Sequence, residues 1–166
     1  MIFEDLVAGV SVFLDANTFV YHFQPHLAFG PACTALLKRI ENRELSGFTS
    51  THVLSEVVHR LMTFEKCARF SWSMAKIARR LKQHPAELQA LTDYRQALAT
   101  IHQIGVQVLS VPPPLIDAAA SLSQQFGLLA NDALIVSVMQ HYGLTAIASV
   151  DTDFDRVPGL TRYAPI

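Results

Sequence analysis

The sequence predicts an α/β fold: a three-layer sandwich with a mainly parallel central sheet of four to five strands and helices on both faces. Three observations carry this. Short apolar runs rich in β-branched residues recur without the polar alternation of a half-exposed sheet. Between them lie longer segments with helical spacing, the pattern of strand–helix–strand units. Finally, 166 residues, half of them apolar, suit one domain with a substantial core. The chain reads as a single domain over residues 1–166, without repeats or linkers.

The elements follow in order. "VSVFL" (10–14) is a strand that ends at Asp15. "PACTALLKRIENRE" spaces Ala32, Leu36, Leu37 and Ile40 helically, with Pro31 suited to a first turn. "LSGFTS" is a short strand, and Thr49, Ser50 and Thr51 offer caps to the helix "HVLSEVVHRLMTF". Leu54, Val57, Val58 and Leu61 mark that helix's buried face. A basic helix over 66–82 comes next. "HPAELQALTDYRQALATIHQIG" then reads as one further helix, with Pro85 near its start and Gly105 just past its end. Together these make a helical stretch over about residues 66–105. "VQVLSV" is a strand. "PPPLIDAAASLSQQFG" is a helix closed by Gly127, and "ANDALIVSVMQHYG" is so apolar that it must be buried. "TAIASV" is the fourth strand, and "LTRYAP" is an edge strand.

Composition excludes several classes. No apolar run approaches the roughly 20 residues of a membrane span, so no membrane association is expected. Cys33 and Cys67 are isolated, without a CxxC pattern. That argues against a disulfide scaffold and for a reducing, cytoplasmic setting. The first residues carry Glu4 and Asp5 where a secretory signal would carry Lys or Arg. Net charge is −1, but residues 66–82 hold six bases and no acid. That segment is either a solvated helix face or a helix that contacts phosphates or a partner protein. In the second case Arg69, Lys76 and Arg80 fall on one side of it, and Phe70 and Trp72 offer apolar contact.

Carboxylates carry the candidate chemistry. Asp15 follows the first strand and Asp151 follows the fourth. In open α/β sheets, ligands bind beyond the carboxyl ends of the strands. If those two strands are neighbours, the two acids sit side by side. Asn131 and Asp132 open the buried helix, where ordinary capping is one reading: Asn131 as N-cap, Asp132 favoured by the helix dipole. Glu56 falls opposite the buried face of its helix, with His52, His59 and Thr63, facing either bulk solvent or a cleft.

Asp151, Asp153 and Asp155 crowd into five residues. Turn formation explains such a run. A calcium loop does not, because Arg156 stands where an EF-hand needs Gly and Arg162 where it needs Glu. A phosphatase using Asp15 as covalent nucleophile would want a second Asp two residues on, and that position is Asn17. No P-loop, GxSxG or GxGxxG pattern is present.

Four stretches together carry a resemblance: "FLDANTFVY", "STHVLSEVVHRL", "LLANDALIVSVMQHYG" and "IASVDTDF". Their order resembles that of the PIN-domain ribonuclease family, and the match spans nearly the whole chain. Asp15, Glu56, Asp132 and Asp151 match the family's four acids, implied to be catalytic and to hold metal. Asn17, Ser149 and Asp153 match positions that support those acids. The resemblance implies a PIN-like nuclease domain and an endoribonuclease dependent on Mg²⁺ or Mn²⁺. It also implies a VapC-like toxin, homodimeric, blocked by a small antitoxin protein. Oxygen-only ligands suit those ions. The alternative is a PIN-like module that binds RNA or protein without cutting. On the nuclease reading, Asp15→Asn should abolish cleavage and, by removing one repelling charge, slightly stabilise the metal-free protein.

Overall fold

The computed structural model describes residues 1–24, 26–70, 79 and 82–166. Five strands form one sheet: β1 (Ser11–Leu14), β2 (Ser46–Ser50), β3 (Gln107–Leu109), β4 (Ala146–Ala148) and β5 (Thr161–Tyr163). Their order is β3-β2-β1-β4-β5, and every pairing is parallel. β1 is central, with Val12, Phe13 and Leu14 fully buried. This is why its sequence shows no alternation. It lies between β2 and β4, so the first and fourth strands are neighbours.

Among the described residues, the α-helices with defined bounds are α1 (Ala16–Phe23), α2 (Gly30–Glu41), α3 (Thr51–Phe70), α4 (Pro85–Gln89), α5 (Asp93–Ile104), α6 (Pro113–Phe126) and α7 (Ala130–His141). The chain steps from β1 to β2 to β3 in one direction, then crosses back to β4 on the other side of β1. Right-handed crossovers therefore put α1, α2, α3 and α5 on one face and α6 and α7 on the other. The packing agrees: α1 meets α2 and α3, α5 meets α2 and α3, and α6 packs against α7. The strand order reverses between β1 and β4, so their carboxyl ends form the crevice where such sheets bind ligands.

Local signals explain most of these boundaries. Ser50 Oγ accepts the Val53 N–H and caps α3. Gly105 and Gly127 end α5 and α6 in the left-handed region, at φ 87° and 65°. Gly47 has a packing role: a Cβ there would meet Ile40 Cδ1 at 2.8 Å.

The structure adds one unread helix and corrects three expectations. First, α1 was not legible as a helix, since eight residues (Ala16–Phe23) give too few turns for periodicity. Second, the helix expected over 84–105 is two helices. The break at Ala90–Thr92 is held by Glu65 of α3, whose carboxylate accepts the N–H groups of Thr92 and Asp93, both at 3.0 Å. A cap supplied by another helix leaves no local sequence signal. Third, Thr63 is buried rather than solvated, its Oγ1 turned back to the His59 carbonyl at 2.8 Å. Fourth, the basic segment does not begin as a solvated face. α3 runs on to Phe70, and Lys66 is fully buried with its Nζ 2.8 Å from Glu87 of α4.

Glu65 also takes Arg69 Nη1 at 3.3 Å, and the same nitrogen bonds the Ala90 carbonyl. Glu65→Ala would strand two backbone donors and a half-buried cation's partner. It should cost about 2–4 kcal/mol in urea unfolding.

Candidate active site

The site starts where β1 ends. Asp15 continues the ladder by donating its N–H to the Ala148 carbonyl (3.2 Å), then turns the chain into α1 as its N-cap. One oxygen, Oδ1, accepts the Ala16 N–H at 2.6 Å. The other, Oδ2, accepts the Ser149 hydroxyl at 2.7 Å and the Asn17 amide at 3.2 Å. A carboxylate offers about four lone-pair sites. Three are occupied, and the fourth lies on Oδ1. Asp15 is only 6% exposed. Burial pushes its pKa up, against the hydrogen bonds from Ser149, Ala16 and Asn17 and the charge of Arg60.

Ser149 joins the two strand ends. While donating to Asp15, its Oγ accepts the Asp151 N–H at 3.0 Å. Asp151 in turn caps the short 3₁₀ helix Thr152–Arg156 through Oδ1, which accepts the Asp153 N–H at 2.9 Å. The loop after β4 is thereby fixed relative to the carboxylate after β1.

Asp132 arrives from α7, as the third residue of that helix. The N-cap is Leu129, without a side-chain cap bond, so the expectation of Asn131 as N-cap is corrected. "LLAND" places Asn131 two residues past the cap position. Asp132 then sits where the helix dipole favours an acid. Even so, its pKa is pushed up to about 6, first by burial and then by Asp151, Asp15, Asp153 and Glu56. The charges that disturb Asp132 include the other three acids singled out from the sequence.

Asp15, Asn17, Glu56, Asp132 and Asp151 line one open pocket with Leu129, Ala130 and Ile135 as apolar wall. Glu56 reaches it from α3, with Arg60 one turn on at 3.7 Å. Among the described residues, no three carboxylate, imidazole or thiol groups stand close enough to share one ion directly.

Two acids of the triplet are neutralised locally. Asp153 Oδ1 pairs with Arg156 at 2.7 Å. Asp155 takes a two-pronged bond from Arg162 at 2.9 and 2.8 Å, which holds its carboxyl below the usual range. Arg156 and Arg162 are the two residues that rule out a calcium loop. They serve instead as the counter-charges of Asp153 and Asp155.

Of the residues expected to hold RNA or a partner, Lys76 and Arg80 lie outside the described residues. Arg69 is described, and one of its guanidinium nitrogens is held by Glu65 and the Ala90 carbonyl. The sequence reading missed Arg60, whose Nη1 donates to Asn17 Oδ1 at 2.7 Å. Its spacing of four from Glu56 was the available signal.

With this geometry in place, comparison with known proteins is informative. The PIN domain family model matches residues 12–160. Ribonuclease VapC2 of Methanocaldococcus jannaschii is 31% identical over 150 residues, covering 88% of each chain. Mycobacterium tuberculosis VapC20, a toxin described as cleaving the sarcin-ricin loop, superposes with a TM-score of 0.61 at 18% identity, over 87% of this chain and 92% of that one. Rickettsia felis VapBC2, solved on a promoter DNA fragment, gives 0.60 at 17% identity, over 94% and 99%. At such identities the two structures speak to fold alone. The family model spans most of the sequence, and the M. jannaschii relative matches it at nearly full length. The chain belongs to the PIN-domain family.

Proposed function

We propose that this protein is a divalent-metal endoribonuclease that hydrolyses RNA phosphodiesters, with Asp15, Glu56, Asp132 and Asp151 as its catalytic, metal-holding acids. The observation that carries the reading is the convergence of Asp15, Glu56, Asp132 and Asp151 on one pocket at the reversal of strand order. The donor set is all oxygen, which fits Mg²⁺ or Mn²⁺ better than a thiolate- or imidazole-seeking metal. The wide spacing of the acids fits a hydrated ion held by one or two carboxylates, with water bridging to the rest. Such an ion supplies activation of water and charge compensation on the phosphate.

The chain's own groups prepare that role. Ser149 and Asn17 hold Asp15 with one lone pair left free for a ligand. The α7 N-terminus presents Asp132. Asp153, half-engaged with Arg156, is placed to orient water beside Asp151. Leu129 and Ile135 give one side of the pocket an apolar lining.

The family relationship extends the proposal to the toxin of a toxin–antitoxin pair, acting as a homodimer in the cytoplasm and held in check by a small antitoxin protein. Among the described residues no helix is long and apolar enough to cross a membrane. RNA contact by Arg69, Lys76 and Arg80 is part of the same proposal. Neutralising all three should lower the salt slope of RNA binding by about 0.7 per lost phosphate contact on a single strand.

The decisive assay is incubation of purified protein with RNA in Mg²⁺, in Mn²⁺ and in EDTA, with mapping of the new ends. Discrete cuts that need the metal are expected. Intact RNA under tight binding would favour the non-cleaving alternative. Ser149→Ala should lower Mn²⁺ affinity and cleavage together, by about 10–100-fold, because it frees both Asp15 Oδ2 and the Asp151 loop.

A further inference from the structure

The further inference concerns Arg60, and it rests on the metal-nuclease reading. Asn17 can present either its oxygen or its amide nitrogen to Asp15. With the nitrogen inward it donates to Oδ2 at 3.2 Å. With the oxygen inward, two acceptors would face each other. Arg60 removes the second option. Its Nη1 donates to Asn17 Oδ1 at 2.7 Å, so the oxygen is held outward and the nitrogen inward. The same Nη1 lies 3.7 Å from Glu56 Oε1. One guanidinium on α3 therefore touches a pocket acid directly and a second one through Asn17. It is mostly buried, 28% exposed, and a single nitrogen, Nη1, makes both contacts.

We propose that Arg60 is a positioning residue of the acid pocket, which fixes Asp15 through Asn17 and restrains Glu56 so that both are aimed before the metal arrives. Arg60 is a cation, so simple electrostatics would have it repel a divalent ion. Its removal would then tighten metal binding. A positioning role predicts the opposite, because disordered ligands bind a hydrated ion less well. The sign of the change separates the two.

The test is Mn²⁺ binding to Arg60→Met by electron paramagnetic resonance, without RNA, alongside Asn17→Ala and the double variant. Arg60→Met should weaken Mn²⁺ binding by about tenfold, with the unfolding midpoint reported in parallel to show that the fold persists. Asn17→Ala should weaken it similarly, and the double variant should be no weaker than the poorer single, because both act on one chain of bonds. Arg60→Lys should recover part of the loss. Unchanged or tighter binding by Arg60→Met, or strictly additive losses, would overturn the proposal. If Arg60→Met does not fold, Arg60→Lys and Asn17→Ala still decide it: wild-type affinity in both refutes it. Failure of wild-type protein to bind Mn²⁺ at all would instead refute the metal-nuclease reading.

Discussion

Asp15→Asn should abolish metal-dependent RNA cleavage, with a loss of at least about 10³-fold, while the protein remains folded. The lost charge is the one that β1, α1 and β4 jointly aim into the pocket. The effect on stability differs from what charge counting alone suggests. An asparagine has one acceptor oxygen, but three donors surround this position: Ala16 N–H, Ser149 Oγ and Asn17 Nδ2. Whichever way the amide turns, its NH₂ confronts at least one donor, at a cost of about 1–2 kcal/mol. Relief from burying a charge offsets part of this. The slight stabilisation expected from removing a repelling acid is therefore withdrawn for Asp15. Retained cleavage in the purified variant, checked against contaminating nuclease by a mock preparation, would remove Asp15 from the mechanism.

That stabilisation belongs to Asp132 instead. Among the described residues Asp132 has no hydrogen bond or ion pair that an asparagine would forfeit, and its pKa is about 6 against 3.8 for an unperturbed group. The folded metal-free protein therefore holds this proton more tightly than the unfolded chain does. Its stability contribution is fully present below about pH 4, falls as pH rises through about 6, and stays lost above. The ceiling is about 3 kcal/mol, and partial solvent exposure brings the expectation to about 1–2 kcal/mol. In EDTA at pH 7.5, Asp132→Asn should be more stable than wild type by that amount. At pH 4 the difference should vanish. Comparing variant with wild type at each pH cancels the titration of other groups, such as the Asp155–Arg162 pair, which runs in the opposite direction. Saturating Mg²⁺ should reverse the order, because wild type gains a ligand that the variant has weakened. A constant difference from pH 4 to 7.5 would show that Asp132 is not charge-frustrated.

Much of this was legible in the sequence for physical reasons. A strand buried on both faces must be continuously apolar, so β1 and its terminal Asp15 stood out. α7 is buried from Ile135 to Met139, so its middle is nearly all apolar, and the acid at its start was conspicuous. The match of four ordered stretches to one family then linked Asp15, Glu56, Asp132 and Asp151, which neither periodicity nor spacing could do. What escaped was held by contacts between distant residues. Glu65 caps α5 from 27 positions away, and Lys66 pairs with Glu87. Neither interaction leaves a local pattern, so both readings of the basic segment, solvated face or contact surface, missed its buried start. Arg60 escaped for a related reason, since its partner Asn17 is 43 positions distant. Asn131 was misplaced by two residues, the usual uncertainty of a helix start.

The central claim, that these acids cooperate around one divalent ion, is tested most directly by soaking crystals in Mn²⁺ and locating the metal by its anomalous scattering. The account predicts a peak inside the pocket, about 2.1–2.3 Å from Asp15 Oδ1 or an Asp132 oxygen, with waters completing the shell toward Asp151 and Glu56. Manganese bound elsewhere at saturation, with the pocket empty in a preparation that still cuts RNA, would contradict it.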